Sequence, residues 1–192
     1  MGSVQMLSCL CRDVPSLKAE YGCDVFVETG CYRGNSMSYV VQLGFGEVWS
    51  CDIDPANVAY CLETFGRPGL NIEVGLSVDF LERLLPRMEG VPSVMFWLDA
   101  HLPDDRKGQA VDLPLEQELE IINRIRPGRP DVVLIDDLRI YEDGPFTGGF
   151  WDRSGYENLS LSFLDRHGYN VERFYGEEGY LVLTRPACRT SS

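Results

Sequence analysis

The sequence predicts an α/β fold: a doubly wound, largely parallel sheet of seven strands that closes with an antiparallel hairpin. Three observations carry this. Strand-like apolar runs alternate with helix-period patterns through five successive units. One run, Val94-Met95-Phe96-Trp97-Leu98, is apolar throughout, as a central parallel strand covered on both faces must be. The last two runs, 170–175 and 180–184, flank Gly176-Glu177-Glu178-Gly179 and read as a hairpin.

Residues 24–29 form the first predicted strand, and 35–43 a helix with Met37, Val40 and Val41 on one face. Residues 47–52 are the second strand. Asp54 then serves as N-cap and Pro55 as first helical residue, both favoured there because the first turn has spare N–H groups and proline lacks one. Val58, Cys61, Leu62 and Phe65 fall at i, i+3, i+4 and i+7, and Gly66 ends that helix. Residues 71–75 are a short third strand. Ser77 is expected to cap the next helix, whose apolar face is Val78, Leu81, Leu85 and Met88. Strand four is 94–98, with Phe96 and Trp97 in the core. A polar loop, 102–112, leads past Pro114 to a helix carrying Leu115, Leu119, Ile122 and Ile125, which Pro127-Gly128 stop. Residues 132–135 are strand five. A loop rich in glycine and aromatics, 141–156, reads as a lid over a substrate or as a structural flap whose aromatics pack down, and precedes a helix near 157–167. The whole chain, 1–192, is expected to be one domain, with 1–20 as an N-terminal arm or helix.

Composition narrows the function classes. The 192 residues are 44% hydrophobic and 24% charged, as in a globular domain. The formal charge of −13 repels phosphate backbones and anionic lipid, so neither nucleic acid nor membrane is an expected partner. No apolar run is long enough for a membrane span, and the N-terminus lacks the pattern of a signal peptide. Seven scattered cysteines, an odd number without a CxxC pair, argue against a disulfide framework and for a reducing cytoplasm. The sequence leaves the oligomeric state open, a homo-oligomer included.

Open α/β sheets bind ligands beyond the carboxyl ends of their strands. Those ends are polar here: Glu28-Thr29-Gly30, Asp52-Ile53-Asp54, Gly75-Leu76-Ser77, Asp99-Ala100-His101 and Asp136-Asp137. Gly30 and Gly34 allow a sharp turn and a close approach, but their Gly-x-x-x-Gly spacing is not the Gly-x-Gly-x-x-Gly of dinucleotide binders. Glu28 suits an ammonium or a hydroxyl, not a phosphate, and Asp52 suits a ribose diol. S-adenosylmethionine has a cationic amino-acid part and a ribose without phosphate, and fits both.

The runs ETGCYRGNS, CDIDP, GLSVDF, FWLDAH and LIDD, in that order, resemble the class I methyltransferases. More narrowly they resemble the metal-dependent O-methyltransferases of the catechol and caffeoyl-CoA type and of the macrolide and aminocoumarin sugar type. The resemblance implies a Rossmann-like seven-stranded sheet of order 3-2-1-4-5-7-6, strand 7 antiparallel. It places Glu28, Gly30, Tyr32, Gly34 and Ser36 around the methionine part, Asp52 on the ribose, Ser77 beside the adenine, and Asp99 at the junction of donor and metal. Asp99, Asp136 and Asp137 would hold Mg²⁺ or another divalent cation, which suits hard oxygen ligands and relieves the repulsion among three acids. The acceptor implied is a small hydroxylated, metal-chelating molecule, a sugar or glycoside first and a catechol-like ring second. His101, two residues past Asp99, stands where the sugar-modifying relatives carry an acidic base; its role as base or as a surface histidine stays open. Arg139, just past the acid pair, suits an anionic group or one of the neighbouring acids. A non-catalytic ligand-binding domain of the same fold and a metal-dependent enzyme of another reaction type are the alternatives.

Overall fold

The structure is a computed structural model that describes residues 7–100, 113–148 and 159–185, with side chains from residue 13 onward. In chain order the helices and strands are α1 (Leu7–Tyr21), β1 (Val25–Thr29), α2 (Asn35–Val40), β2 (Glu47–Asp52), α3 (Pro55–Phe65), β3 (Leu70–Val74) and α4 (Ser77–Leu84). After α4 come β4 (Val94–Leu98), α5 (Leu115–Ile125), β5 (Val132–Ile135), the single-turn α6 (Leu138–Tyr141), β6 (Asn170–Phe174) and β7 (Tyr180–Thr184). The seven strands form one sheet of order β3-β2-β1-β4-β5-β7-β6, as the resemblance implied. The first five are parallel; β7 pairs antiparallel with both β5 and β6.

Strand periodicity sorts the core onto two faces. Val25, Val27, Phe96 and Leu98 point to the side covered by α4 and α5. Phe26, Val48, Met95, Trp97 and Leu134 point to the side covered by α1, α2 and α3. Every residue of β4 is buried on both faces, which is why its sequence does not alternate. Each large side chain removed from water there stabilises the fold by about 2–3 kcal/mol.

Asp54 caps α3 as expected, its side chain accepting from the Ala56 N–H at 2.8 Å, with Pro55 at the first helical position. Ser77 is not the cap of α4. Leu76 occupies that position and no side chain caps the helix; Ser77 is the first helical residue and turns inward. The helix expected over 35–43 ends at Val40. Of the helix expected near 157–167, the described part is a 3₁₀ turn, Ser162–His167, ended by Gly168 in the left-handed region. Among the described residues no helix is long and apolar enough to cross a membrane.

Candidate functional site

The carboxyl ends of β1, β2, β4 and β5 meet at one edge, and the parity of each strand decides which way its last side chains face. Glu28 lies on the α2 side and is fully buried. Its oxygens accept from the hydroxyls of Ser36, on α2, and Ser50, which is its register partner on β2, the latter at 2.7 Å. Burial pushes its carboxyl up to about 7; the Ser36 and Ser50 hydroxyls oppose the shift, and the Asp99 and Asp52 carboxylates add to it. Glu28 was expected to suit an ammonium or a hydroxyl; the groups it meets here are the hydroxyls of two serines inside the protein. It fixes the entry of α2 and the orientation of Ser36.

The turn after β1 needs its glycines. Gly30 has φ +86°, and a Cβ there would stand 2.6 Å from the Asp99 carbonyl oxygen. That closeness brings the β1 and β4 ends together, and the N–H groups of Gly30 and Cys31 both reach the Cys51 carbonyl at 3.0 Å. Gly34, at φ +72°, packs where a side chain would collide with the Phe65 ring and Cys61. Tyr32 also has positive φ, 40°, and its ring is 64% exposed.

Asp52 explains that strained tyrosine. Its Oδ2 accepts from the Tyr32 N–H at 2.8 Å; its Oδ1 accepts from the Asp54 N–H at 2.8 Å and from Asn57 Nδ2 at 3.3 Å. One carboxylate thus pins the turns after β1 and β2. The Cys31 thiol, 3.9 Å from Oδ2, is a fourth and weak donor, so the roughly four acceptor positions of this carboxylate are all engaged. Around it Tyr32, Ile53 and Leu76 expose apolar surface, with Ser77 tucked behind.

On the opposite face of β1, Thr29 and Ser77 lie against Glu118 of α5, which is also buried. Burial pushes Glu118 up to about 7; the Ser77 and Thr29 hydroxyls pull it down and Asp99 adds to the rise. Tyr141 is buried beside Glu118, Asp137, Asp99 and Asp136, and its hydroxyl is held well above its ordinary range, first by burial and then by those acids. Sequence reading missed Glu118, yet it sits on the 115–119–122 stripe, where an acid among leucines and isoleucines is the available signal. Ser50 was legible only through strand register.

Asp99 and Asp136 stand at neighbouring strand ends: the Asp99 N–H donates to Thr29 O at 3.1 Å, and the Asp136 N–H to Leu98 O at 3.2 Å. Asp137 follows in the left-handed region, φ 51°. Its Oδ1 lies 3.3 Å from Arg139 Nε, and Arg139 Nη2 lies 2.6 Å from Glu178 Oε1, in the turn between β6 and β7. Glu178 is itself held above its ordinary range by burial and by the nearby Asp137 carboxylate, against the pull of Arg139. The donor chemistry of Asp99, Asp136 and Asp137 suits a hard divalent ion, but their arrangement does not. Asp137 is ion-paired with a guanidinium at 3.3 Å, and among the described residues no three His, Cys, Asp or Glu side chains form a group able to hold a metal ion. His101 and most of the 102–112 loop lie outside the described residues.

The 141–156 segment departs from the lid reading where it is described. Gly148 N–H donates to Glu177 O at 2.9 Å, Thr147 Oγ1 accepts from the Glu177 N–H at 2.7 Å, and Phe146 packs against Tyr175. Residues 144–148 are stitched to the hairpin; Phe150 and Trp151 lie outside the described residues.

No family model matches the chain, and no curated protein matches it in sequence. Solved structures do match. A SAM-dependent methyltransferase from Archaeoglobus fulgidus superposes with a TM-score of 0.61 at 14% identity, over 96% of this chain and 95% of that one. The O-methyltransferase from Bacillus cereus, in complex with SAH, gives 0.59 at 14% identity, over 90% and 79%. An SAH-bound methyltransferase from Podospora anserina gives 0.63 at 13% identity, over 90% and 76%. The chain has the class I methyltransferase fold. Within that methyltransferase fold the Glu28–Asp52 edge and the Asp99–Asp136 edge adjoin across β1 and β4, since Gly30 abuts the backbone of Asp99.

Proposed function

We propose that this chain transfers a methyl group from S-adenosylmethionine to a hydroxyl of a small neutral acceptor. One observation carries the reading: Asp52, whose contacts with Cys31 and Asn57 are long at 3.9 and 3.3 Å and would yield to a diol, lies beside exposed Ile53, Leu76 and Tyr32 at the ends of β1 to β3. A carboxylate beside apolar side chains suits a ribose diol joined to an aromatic base better than a pyrophosphate. The likeness to SAM-dependent methyltransferases supports the same choice at the level of fold.

The residues fit that donor in detail. Asp52 accepts from the ribose hydroxyls. Ile53 and Leu76 cover the adenine faces, with Ser77 beside its edge. Gly30, Gly34 and Ser36 form the glycine turn against the methionine part, and Glu28 sets Ser36 in place from behind. The bound donor supplies an electrophilic methyl on a sulfonium. Asp99, at the junction with the acceptor side, is positioned to take the hydroxyl proton; His101, outside the described residues, is the other candidate for that role. Asp99, Asp136 and Glu118 make the acceptor side acidic, which disfavours anionic acceptors and suits neutral polyols: a sugar or glycoside first, a catechol-like ring second. The reading takes no step through Mg²⁺, because Asp137, one of the three ligands expected for it, is ion-paired with Arg139.

The test is direct. Isothermal titration with S-adenosylhomocysteine and with NAD should show binding of the first only. Incubation with S-adenosylmethionine and a panel of hydroxylated acceptors, with Mg²⁺ and with EDTA, should release S-adenosylhomocysteine. Binding without turnover on any acceptor favours the non-catalytic alternative; no binding ends the proposal.

A further inference from the structure

We propose that Arg139 is the resident cation of the acidic edge and that it closes Asp137 to divalent metal ions. The inference deepens the proposed reading, on which it rests for the role of that edge.

Arg139 is anchored at both ends. Its backbone N–H donates to Glu178 O at 3.1 Å, and the neighbouring Leu138 N–H donates to Gly179 O at 2.9 Å, so the α6 turn is bolted to the hairpin between β6 and β7. The side chain is only 13% exposed and runs back between two acids, with Nη2 2.6 Å from Glu178 Oε1 and Nε 3.3 Å from Asp137 Oδ1. A guanidinium fork is always charged and matches carboxylates in geometry, so it is well suited to a fixed, half-dry position of this kind. Asp137 meets it from a left-handed backbone, φ 51°, that is held closed by the Ile140 N–H donating to Asp137 O at 2.9 Å.

A small divalent ion demands close, near-octahedral oxygen ligands. To take Asp137 it must strip that carboxylate from Arg139 and leave a guanidinium beside a doubly charged ion. Even at the dielectric of water, a unit charge roughly 5 Å from a divalent ion changes its affinity by about tenfold or more. The guanidinium therefore opposes a metal at this carboxylate by charge and competes with it for Oδ1. In this chain the covalently attached cation holds it, at a local concentration no free ion matches.

The experiment is a Mn²⁺ titration of the full chain, followed by the loss of the free-ion electron paramagnetic resonance signal, in wild type, Arg139→Gln and Arg139→Gln/Asp137→Asn. The expected result is that Arg139→Gln binds Mn²⁺ at least about tenfold more tightly than wild type, and that adding Asp137→Asn removes the gain. A smaller gain, no gain, or a gain that survives Asp137→Asn overturns the proposal. If Arg139→Gln does not fold, Arg139→Met, which also removes the charge, carries the test with the same threshold of about tenfold. Thermal shift with S-adenosylhomocysteine is run on the same samples. Loss of that shift in wild type removes the methyl-transfer reading and leaves the Mn²⁺ comparison, which reports only on the carboxylates, standing on its own.

Discussion

Glu28→Gln isolates the cost of an acid buried beneath the glycine turn. The native carboxyl is held at about 7 against an ordinary 4.5. Its folded-state value is raised, so the folded protein binds the extra proton. The resulting stability is fully present below pH 4.5 and is lost as pH rises through about 7. A rise of that size is worth about 3 kcal/mol in total, of which roughly 2.5 kcal/mol disappears between pH 5 and pH 8. Glutamine keeps the shape, accepts from one serine and donates to the other, and does not titrate. Urea unfolding of both proteins at pH 5 and pH 8 gives four values of ΔG. The stability of Glu28→Gln relative to wild type should improve by about 2 kcal/mol on going from pH 5 to pH 8. Glu118 has the same raised value in both proteins and cancels from the difference. A relative stability that stays constant within about 0.5 kcal/mol between the two pH values refutes the reasoning, because it requires Glu28 to titrate alike folded and unfolded.

Asp52→Ala should weaken S-adenosylhomocysteine binding by about tenfold to a hundredfold in a calorimetric titration, since hydrogen bonds to a charged group are worth about 1.5–3 kcal/mol. It should also lower stability by about 1–3 kcal/mol, because the Tyr32 and Asp54 N–H groups lose their acceptor; affinity left unchanged sinks the ribose assignment. Gly30→Ala should cost about 2–4 kcal/mol in urea unfolding, from the positive φ and the 2.6 Å approach to Asp99 O together. A cost under about 1 kcal/mol there means the β1 and β4 ends are not in the contact described.

The strands and the Glu28–Asp52 edge were legible in the sequence because each rests on a local or short-range rule. β5 begins and ends where the Val132-Val133-Leu134-Ile135 run does, and β4 betrayed its central position by refusing to alternate. Asp54 and Pro55 announced α3 through the chemistry of a first helical turn. Asp52 stood out as an acid ending an apolar strand. The edge around Asp99, Asp136 and Asp137 was less legible because its arrangement is set by pairings across the fold. From sequence, Asp136-Asp137 is two adjacent carboxylates; in the structure the left-handed backbone at Asp137 turns it toward Arg139, and Arg139 reaches Glu178 only because β7 returns antiparallel beside β5. The GEEG turn was read as a hairpin connector, and nothing local distinguished Glu178 from its neighbour Glu177. Glu118 was hidden differently. Helix period alone puts it on the buried stripe of α5, but an acid in that register is ordinarily assigned to the solvated flank, and only the Thr29 and Ser77 hydroxyls opposite make its burial tolerable. The two sides of the site thus differ in kind. The Glu28–Asp52 edge is built from residues within a few positions of a strand end, so motif spacing reports it. The Asp99–Asp136 edge is built by bringing β5, α5 and the hairpin turn together, and its charge balance, one guanidinium set among several carboxylates, follows from the topology.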